Sequence, residues 1–396
     1  MNSLIQHAPK QKAAQTPNFV WPKAAHQFDL SLISDLLKWS AEQGVSDIKI
    51  EGGQPVRIYV DGLAYAVTPY KIDVHQADQI LTEIYNETGK GLIANRSAID
   101  FSHQVKVDRF KSLRFRVCVV GTTGRERTHE ITLRLLPEKA PDFDEISTEI
   151  PIRKALLNKR GLSLITGETG SGKSTLLAAT IRALLYSVCG QIQTFENPIE
   201  FVFHDIDLSH SWITQIEIPT QIPTFLEALK VSMRRYPKIL VVGECRDKET
   251  IEAAINAAQQ GSPVYTTSHT KTVLDTIDRL VNIFPGPERD SRSIDIVKQL
   301  NIIISQRLET NPNGGRTALK EWLCFEHDLV DELIRTHRSK WHFLLREAFS
   351  SSDQNQTMQT SAQVAYDKGL IEQSTLLSIL PPRPLQVSVT QEGMSA

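Results

Sequence analysis

The spacing of apolar residues changes about a third of the way along this 396-residue chain. Up to about residue 137, apolar and polar residues alternate in short stretches such as Val56–Val60, separated by segments of helical spacing. After about residue 146, short uninterrupted apolar runs alternate with helical segments. The first pattern predicts an α+β domain, and the second predicts a parallel sheet with helices on both faces.

These patterns also predict the individual elements and the domain limits. In the first part we expect helices over 28–44 and 74–86, and strands over 47–50, 56–60, 113–121 and 130–136, with a hairpin turn at Asp61-Gly62. In the second part we expect strands over 161–166, 191–195, 239–242 and 264–267, helices over 175–187, 224–234 and 248–260, and a helical pattern after about Ile302. The resulting division is a flexible tail (1–25), an α+β domain (26–137), a proline-bearing linker (138–146), an α/β domain with C-terminal helices (147–382) and a second flexible tail (383–396).

The composition and net charge predict a globular protein without a general affinity for nucleic acid. With 40% hydrophobic and 23% charged residues the chain is globular, and a net charge of −2 gives no general attraction to nucleic acid, so we expect no direct nucleic-acid binding. No apolar stretch reaches the roughly 18 residues of a membrane-spanning helix, and the first 25 residues lack a signal-peptide core, which together predict a cytoplasmic protein. The cysteines are scattered without a C-x-x-C pair and are expected to be reduced thiols: Cys118, Cys189, Cys245 and Cys324.

A glycine-rich motif between a predicted strand and a predicted helix has the spacing of a P-loop. Its glycines let the backbone wrap around phosphate oxygens, its lysine reaches the terminal phosphates, and the hydroxyl after the lysine binds Mg²⁺. The motif therefore predicts a site for ATP with Mg²⁺ as cofactor. Its residues are Gly167, Glu168, Thr169, Gly170, Ser171, Gly172, Lys173 and Ser174, with Thr175 next in the chain.

Polar residues at the ends of other predicted strands supply candidates for the hydrolytic chemistry. Glu244 follows the apolar run 239–242 and is the candidate for orienting or deprotonating the lytic water. The residue before it is Gly243, where a magnesium-binding aspartate is usual, so Glu196 is predicted to contact the metal through water. Glu200 is either a second metal contact or a solvated loop residue, and His269 is either a sensor of the terminal phosphate or a structural histidine.

These motifs, taken in order, resemble the type II/type IV secretion traffic ATPases, which include the PilT-like pilus-retraction motors. The resemblance extends from Ser46 to Leu380 and depends on GETGSGKST, TFENPIEF, a helix ending in MRR, ILVVGECRDKETIEAAINAA and TTSHT. It implies a PAS-like N-terminal sensory domain, a C-terminal RecA-like domain, and homo-hexameric rings that bind nucleotide between the domains.

The resemblance also implies roles for individual residues. Glu196 matches the family's aspartate box, in which Asn197 replaces the usual aspartate, and His269 matches its histidine box. Glu244 matches the catalytic glutamate of a glycine-containing Walker B motif, and is expected to contact Mg²⁺ through water. The family uses arginines of its first domain near the phosphates. By comparison with the R-F-R-V and R-L-I-P strands these are Arg116 and Arg134, with Arg125 and Arg127 as weaker candidates that are otherwise solvated turn residues.

Within the family, the sequence before the histidine box and the tail are closest to DotB-type ATPases of type IVB secretion and their conjugative-plasmid relatives. This implies a motor at the cytoplasmic face of the inner membrane, docked on a secretion or conjugation complex, with coupling proteins as further candidate partners. Two alternatives stay open. A RecA-like DNA helicase or translocase would need a basic, aromatic-lined channel, and an ATP-gated scaffold with little turnover would be consistent with Asn197.

Overall fold

The chain divides into two compact units, residues 1–138 and 139–396, in the computed structural model. The structure describes residues 19–24, 29–60, 63–109, 111–123, 127–203, 206 and 209–380. The expected C-terminal tail, most of the expected N-terminal tail, the Asp61-Gly62 turn and Arg125 lie outside these residues. Trp21, within the segment expected to be flexible, is instead buried in the core of the first unit, and its backbone N–H donates to Val67 O.

The first unit is built on an antiparallel sheet. Six strands of the described residues pair in the order β3-β2-β1-β6-β5-β4. Burial alternates along β6, where His129, Ile131 and Leu133 face a core that α1 and α2 cover. Helix α2 begins with a capping box between Asp73 and Gln76. The elements are α1 (Ile33–Glu42), β1 (Asp47–Glu51), β2 (Arg57–Val60), β3 (Leu63–Ala66), α2 (Val74–Ile84), α3 (Gly89–Ala94), β4 (Ile99–Lys106), β5 (Ser112–Thr123) and β6 (Arg127–Leu135).

The second unit is an α/β structure around a mainly parallel sheet. Its seven described strands follow the order β13-β12-β7-β11-β10-β8-β9, in which only β13 is antiparallel to its neighbour. The strands are β7 (Leu162–Thr166), β8 (Gly190–Glu196), β9 (Ser211–Glu217), β10 (Ile239–Val242), β11 (Val264–Ser268), β12 (Leu300–Thr310) and β13 (Arg316–Cys324). The helices are α4 (Ile150–Leu156), α5 (Lys173–Ser187), α6 (Phe225–Ser232), α7 (Lys248–Gln259), α8 (Val273–Asn282), α9 (Arg289–Gln299), α10 (His327–Arg335), α11 (Trp341–Ser351), α12 (Met358–Asp367) and α13 (Gln373–Ile379).

Both faces of this sheet are covered. Every residue of β7, β10 and β11 is buried, and neighbouring residues face opposite cores. Leu164 packs in a cluster with α6 to α11, and Ile165 packs in a cluster with α4 and α5. Continuous apolar runs are what such strands require. Because the central strands are parallel, their carboxyl ends and the loops that follow lie at one edge of the sheet.

The prediction that the chain turns helical after about Ile302 is wrong. Residues 300–324 form the antiparallel pair β12 and β13, and helix begins only at His327. The β-branched run at Ile302–Ile304 suits a buried strand beside β7. The hairpin turns at Asn311–Gly315, where Gly314 and Gly315 adopt positive φ. Strands β4 and β9 were also not predicted from the sequence.

The segment expected to be a linker is attached to the second unit. Ala140 and Phe143 are buried in the same cluster as α5. The Arg182 side chain donates to Ala140 O at 3.2 Å, and the Arg153 guanidinium lies over the Phe143 ring. In the part of the chain that the structure describes, no helix is both long and apolar enough to cross a bilayer.

Candidate active site

The glycine-rich motif connects the buried strand β7 to helix α5. Gly167, Gly170 and Gly172 adopt positive φ, which side-chain-bearing residues rarely do. A Cβ at Gly167 would lie 2.2 Å from Gln306 O, and one at Gly172 would lie 2.6 Å from Gln306 Nε2. Glycine is therefore required at these two positions both by the backbone and by the closeness of β12.

The amino end of α5 is open to an anion. Gly172 is its N-cap, and no side chain among the described residues caps it. The first amides of a helix need acceptors from elsewhere, and its dipole favours negative charge there. The buried Ser171 Oγ also finds no hydrogen-bond partner among the described residues. These donors suit a phosphate group.

Lys173 is buried at the first position of α5, with its ammonium turned back into the loop. It donates to Gly167 O and Glu168 O, both at 2.8 Å. Burial lowers the pKa of this lysine, whereas the nearby carboxylates of Glu244 and Glu200 raise it. Phosphate oxygens can replace the two carbonyl acceptors.

Glu244 and His269 meet at the carboxyl ends of the neighbouring strands β10 and β11. His269 Nε2 lies 3.4 Å from Glu244 Oε1, and Arg246 Nη2 lies 2.6 Å from Glu244 Oε2. The Glu244 side chain is only 15% exposed, whereas that of Arg246 is 71% exposed. The carboxylate is thus sheltered, whereas the Arg246 side chain that pairs with it reaches into solvent.

Glu196 ends β8 beside this pair. Its Oε1 accepts hydrogen bonds from Thr194 Oγ1 at 2.6 Å and from Gln215 Nε2 at 3.2 Å. The Gly243 N–H donates to Phe195 O at 2.6 Å, and a Cβ at Gly243 would come within 3.0 Å of that oxygen. This close approach explains why a side chain is absent from the position where related motifs carry aspartate. Asn197 is exposed just beyond Glu196.

Several residues of the site were not identified from the sequence. Gln306 Nε2 donates to Ser171 O at 2.7 Å and supports the loop from β12. The buried Glu217 accepts from Ile199 N at 3.1 Å and holds the segment after Glu196. Lys271 forms an ion pair with Glu168 across the loop. Glu217 is the last residue of β9, whereas Gln306 lies within β12 and carried no signal of this kind in the sequence. Cys245 is buried, which raises its pKa to about 12.

The two arginines predicted in the first unit are neighbours. Arg116 and Arg134 are direct partners in the pairing of β5 with β6, on the face opposite the core. Arg116 makes two hydrogen bonds to Asp100, and Arg134 makes one to Asp47 at 2.8 Å. Like charges opposite each other on a sheet destabilise it unless they are compensated. Arg127 begins β6 and is exposed.

Comparisons with known proteins agree with this site. The family model described as "Type II/IV secretion system protein" matches residues 25–364. The type IV pilus retraction ATPase PilT of Pseudomonas aeruginosa is 34% identical over 290 residues, 73% of this chain and 81% of the relative. A twitching motility protein of Neisseria gonorrhoeae is 32% identical over 89% of this chain and 91% of its own. The X-ray structure of the Legionella pneumophila ATPase DotB superimposes with a TM-score of 0.84 at 32% identity, covering 90% of this chain and 97% of that one.

The fold and the strand-end site define a P-loop ATPase with a RecA-like C-terminal domain and a smaller α+β N-terminal domain, which confirms the predicted fold class. The chain belongs to the type II/IV secretion system protein family and is an ATPase of the PilT-like kind. The family prediction made from the ordered motifs is therefore confirmed.

Proposed function

We propose that this protein is the ATP-hydrolysing ring motor of a type IVB secretion or conjugative transfer system. The observation that carries the proposal is that Lys173, Glu244 and His269 all follow the carboxyl ends of neighbouring parallel strands, β7, β10 and β11. The DotB likeness over 90% of the chain supports the narrower assignment. Cargo translocation and pilus dynamics are both outputs that such a motor can drive.

ATP binds with its phosphates in the loop 167–174. The amides of Gly170, Ser171 and Gly172 and the start of α5 donate to the phosphates, and the Lys173 ammonium exchanges loop carbonyls for phosphate oxygens. A cavity of about 550 Å³ beside Gly172 and Thr175 offers room for the rest of the nucleotide. Leu176 and Leu308 give it apolar walls.

The residues present also fit Mg²⁺. Hard cations take oxygen ligands, and Mg²⁺ keeps several waters while using one or two protein groups with substrate phosphates. The Ser174 hydroxyl beside the phosphate loop and the carboxylates of Glu196 and Glu244 at adjacent strand ends are oxygen donors of this kind. Ser174 would hold the ion directly and the two glutamates through water. The ion supplies charge neutralisation at the phosphates.

Glu244 acts on the attacking water. The low exposure of its side chain and its position beside His269 support a role as a carboxylate base that is shielded from bulk water. Release of the exposed Arg246 side chain from Oε2 would leave that oxygen able to accept a proton from the water. His269 then reports the state of the terminal phosphate to helix α8, which follows it in the chain.

Arg116 and Arg134 supply positive charge to the transferred phosphoryl group, either within one chain or from a neighbouring copy. An arginine of this kind contributes on the order of 10³ or more in rate. Because Arg116 and Arg134 are neighbours on paired strands, both side chains can contact the same anion. Compensation by Asp100 and Asp47 keeps the pair stable when no phosphate is present.

The motor works as a homo-hexamer at the cytoplasmic face of the inner membrane, docked on a secretion or conjugation complex, with coupling proteins as further partners. The DotB and PilT relatives support this placement. Direct nucleic-acid binding forms no part of the proposal.

One experiment tests the proposal. ATP hydrolysis by the wild type and by Glu244→Gln is measured while light scattering follows particle mass. We expect turnover that depends on Glu244 in a particle of about 270 kDa, six times the 44.5 kDa chain. An intact ring whose turnover equals that of Glu244→Gln would favour the scaffold instead. A monomer stimulated by single-stranded DNA at physiological salt would favour the translocase.

A further inference from the structure

An exposed ion pair involves a residue of the phosphate loop. Lys271 Nζ lies 2.9 Å from Glu168 Oε1, and the two side chains are 74% and 67% exposed. Glu168 belongs to the loop, and its backbone carbonyl accepts a hydrogen bond from Lys173. Lys271 comes two residues after His269. The pair therefore joins the phosphate loop to the loop that carries the histidine.

The backbone that carries Lys271 is fixed on both sides. Ser305 Oγ donates to Lys271 O at 2.6 Å, and Val273 N donates to Glu321 Oε1 at 2.8 Å. Ser305 and Glu321 are direct partners in the pairing of β12 with β13. Glu321 is buried and also accepts from Met358 N at 3.4 Å. The backbone position of Lys271 is thus set by the sheet, whereas its exposed side chain can rotate.

The charges and exposure of Glu168 and Lys271 would allow Lys271 to exchange the carboxylate for another anion. A carboxylate at the rim of a phosphate loop repels an incoming triphosphate, and the lysine beside it cancels that charge. The ion pair lowers the pKa of Glu168 and raises that of Lys271, so both groups are charged at neutral pH. Exposed ion pairs contribute little to stability, because solvent screens their charges, and they are readily replaced. A lysine ammonium on a flexible four-carbon stem is suited to such exchange.

We propose that Lys271 contacts the terminal phosphate of bound ATP, and that it does so by exchanging the Glu168 carboxylate for a phosphate oxygen. Glu168 then acts as an internal competitor that weakens nucleotide binding. The inference depends on the proposed ATP site and adds to it a second lysine, which distinguishes ATP from ADP. Because His269 and Lys271 share one loop, loss of the terminal phosphate would be sensed by both.

The test measures equilibrium binding of fluorescently labelled ATP and ADP, with Mg²⁺, to the full chain. All variants are made in the Glu244→Gln background so that hydrolysis does not interfere. Lys271→Gln is expected to weaken ATP binding about tenfold and ADP binding less than about twofold, as for loss of one charge-assisted hydrogen bond. Glu168→Gln is expected to tighten ATP binding about two- to fivefold. Lys298→Gln, an exposed lysine of α9, is the matched control and should change neither.

The double variant Glu168→Gln with Lys271→Gln separates phosphate contact from simple charge neutralisation. If Lys271 contacts phosphate, the double variant binds ATP more weakly than Glu168→Gln alone. Equal affinities of these two variants, equal losses for ATP and ADP in Lys271→Gln, or weaker binding in Glu168→Gln would each overturn the inference. Failure of the folded, otherwise unsubstituted Glu244→Gln protein to bind ATP would instead overturn the proposed ATP site itself.

Discussion

The two units hold their functional charges in different ways. In the first unit, Arg116 and Arg134 lie within paired strands, and each has an aspartate partner on a strand of the same sheet. In the second unit, Glu244 and Lys271 lie on loops after strands. Arg246, which pairs with Glu244, is 71% exposed, and Glu168, which pairs with Lys271, is 67% exposed. Strand residues are positioned by the sheet whether or not a ligand is bound. Loop residues can change partners when nucleotide enters, so the second unit is where ligand-dependent rearrangement is expected.

The largest expected effect is the loss of ATP affinity when the buried Lys173, at the end of the phosphate loop, is replaced. Lys173→Ala removes an ammonium that is expected to make more than one charge-assisted bond to phosphate, so ATP affinity should fall by about a thousandfold or more. Binding of labelled ATP measures this, and thermal unfolding checks that the protein is folded. Affinity within threefold of wild type in a folded protein would contradict the assigned role, and Lys298→Ala serves as the control.

The arginines of the first unit come next. Arg116→Gln and Arg134→Gln should each lower kcat by roughly 10²- to 10³-fold while ATP affinity changes little, because they act on the transferred group. Steady-state kinetics and binding are measured together. Arg57→Gln, on β2 of the same sheet, is the matched control. Normal kcat in both arginine variants would show that the strand-held charges take no part in hydrolysis.

Gly243→Ala tests how closely the loops are packed. The added methyl would meet Phe195 O at 3.0 Å, so β10 must shift from β8 and carry Glu244 with it. We expect a stability loss of about 1–3 kcal/mol and a decrease of about tenfold in kcat. Chemical denaturation and kinetics measure the two effects. Gly286→Ala has no described atom within 4 Å of the added methyl and is the control. An unchanged kcat would mean that ATP hydrolysis does not depend on the exact position of Glu244.

The smallest effect concerns the partner of a strand-held arginine. Asp100→Asn removes the charge that compensates Arg116, and the two side chains are about one-third exposed. The expected loss of stability is below about 1 kcal/mol because a partly exposed pair is screened by solvent. Urea denaturation measures it. A loss of several kcal/mol would mean that folding of the first unit depends on the pairing of Arg116 with Asp100.

How far the sequence could predict the structure depended on the kind of interaction. Continuous apolar runs predicted β7, β10 and β11, and the glycines of residues 167–172 predicted the loop between β7 and α5, because these features are local. Strand β12 was missed because its short apolar run Ile302–Ile304 is compatible with both helix and strand until pairing with β7 decides. Strand β13, which pairs with β12, was missed with it. Gln306 and Glu217 reach the site only through tertiary packing.

For the two arginines of the first unit, the sequence predicted the residues but not that they are neighbours. Family resemblance identified Arg116 and Arg134 separately, 18 positions apart, but only the register of β5 with β6 shows that they are neighbours. The residues that compensate them, Asp100 and Asp47, lie elsewhere in the sequence. Charge compensation across strands cannot be read from spacing along one strand.

The outer strand β13 of the sheet in the second unit is partly covered by a later segment of the chain. The backbone of Trp322 in β13 is bonded in both directions to Gln356, and Lys320 N donates to Ser361 Oγ. The chain's own C-terminal segment thus occupies these peptide groups of the outer strand, as in proteins that avoid unwanted strand addition. A second copy of this chain that met β13 at these positions would have to contact it through side chains, because these backbone groups are already bonded.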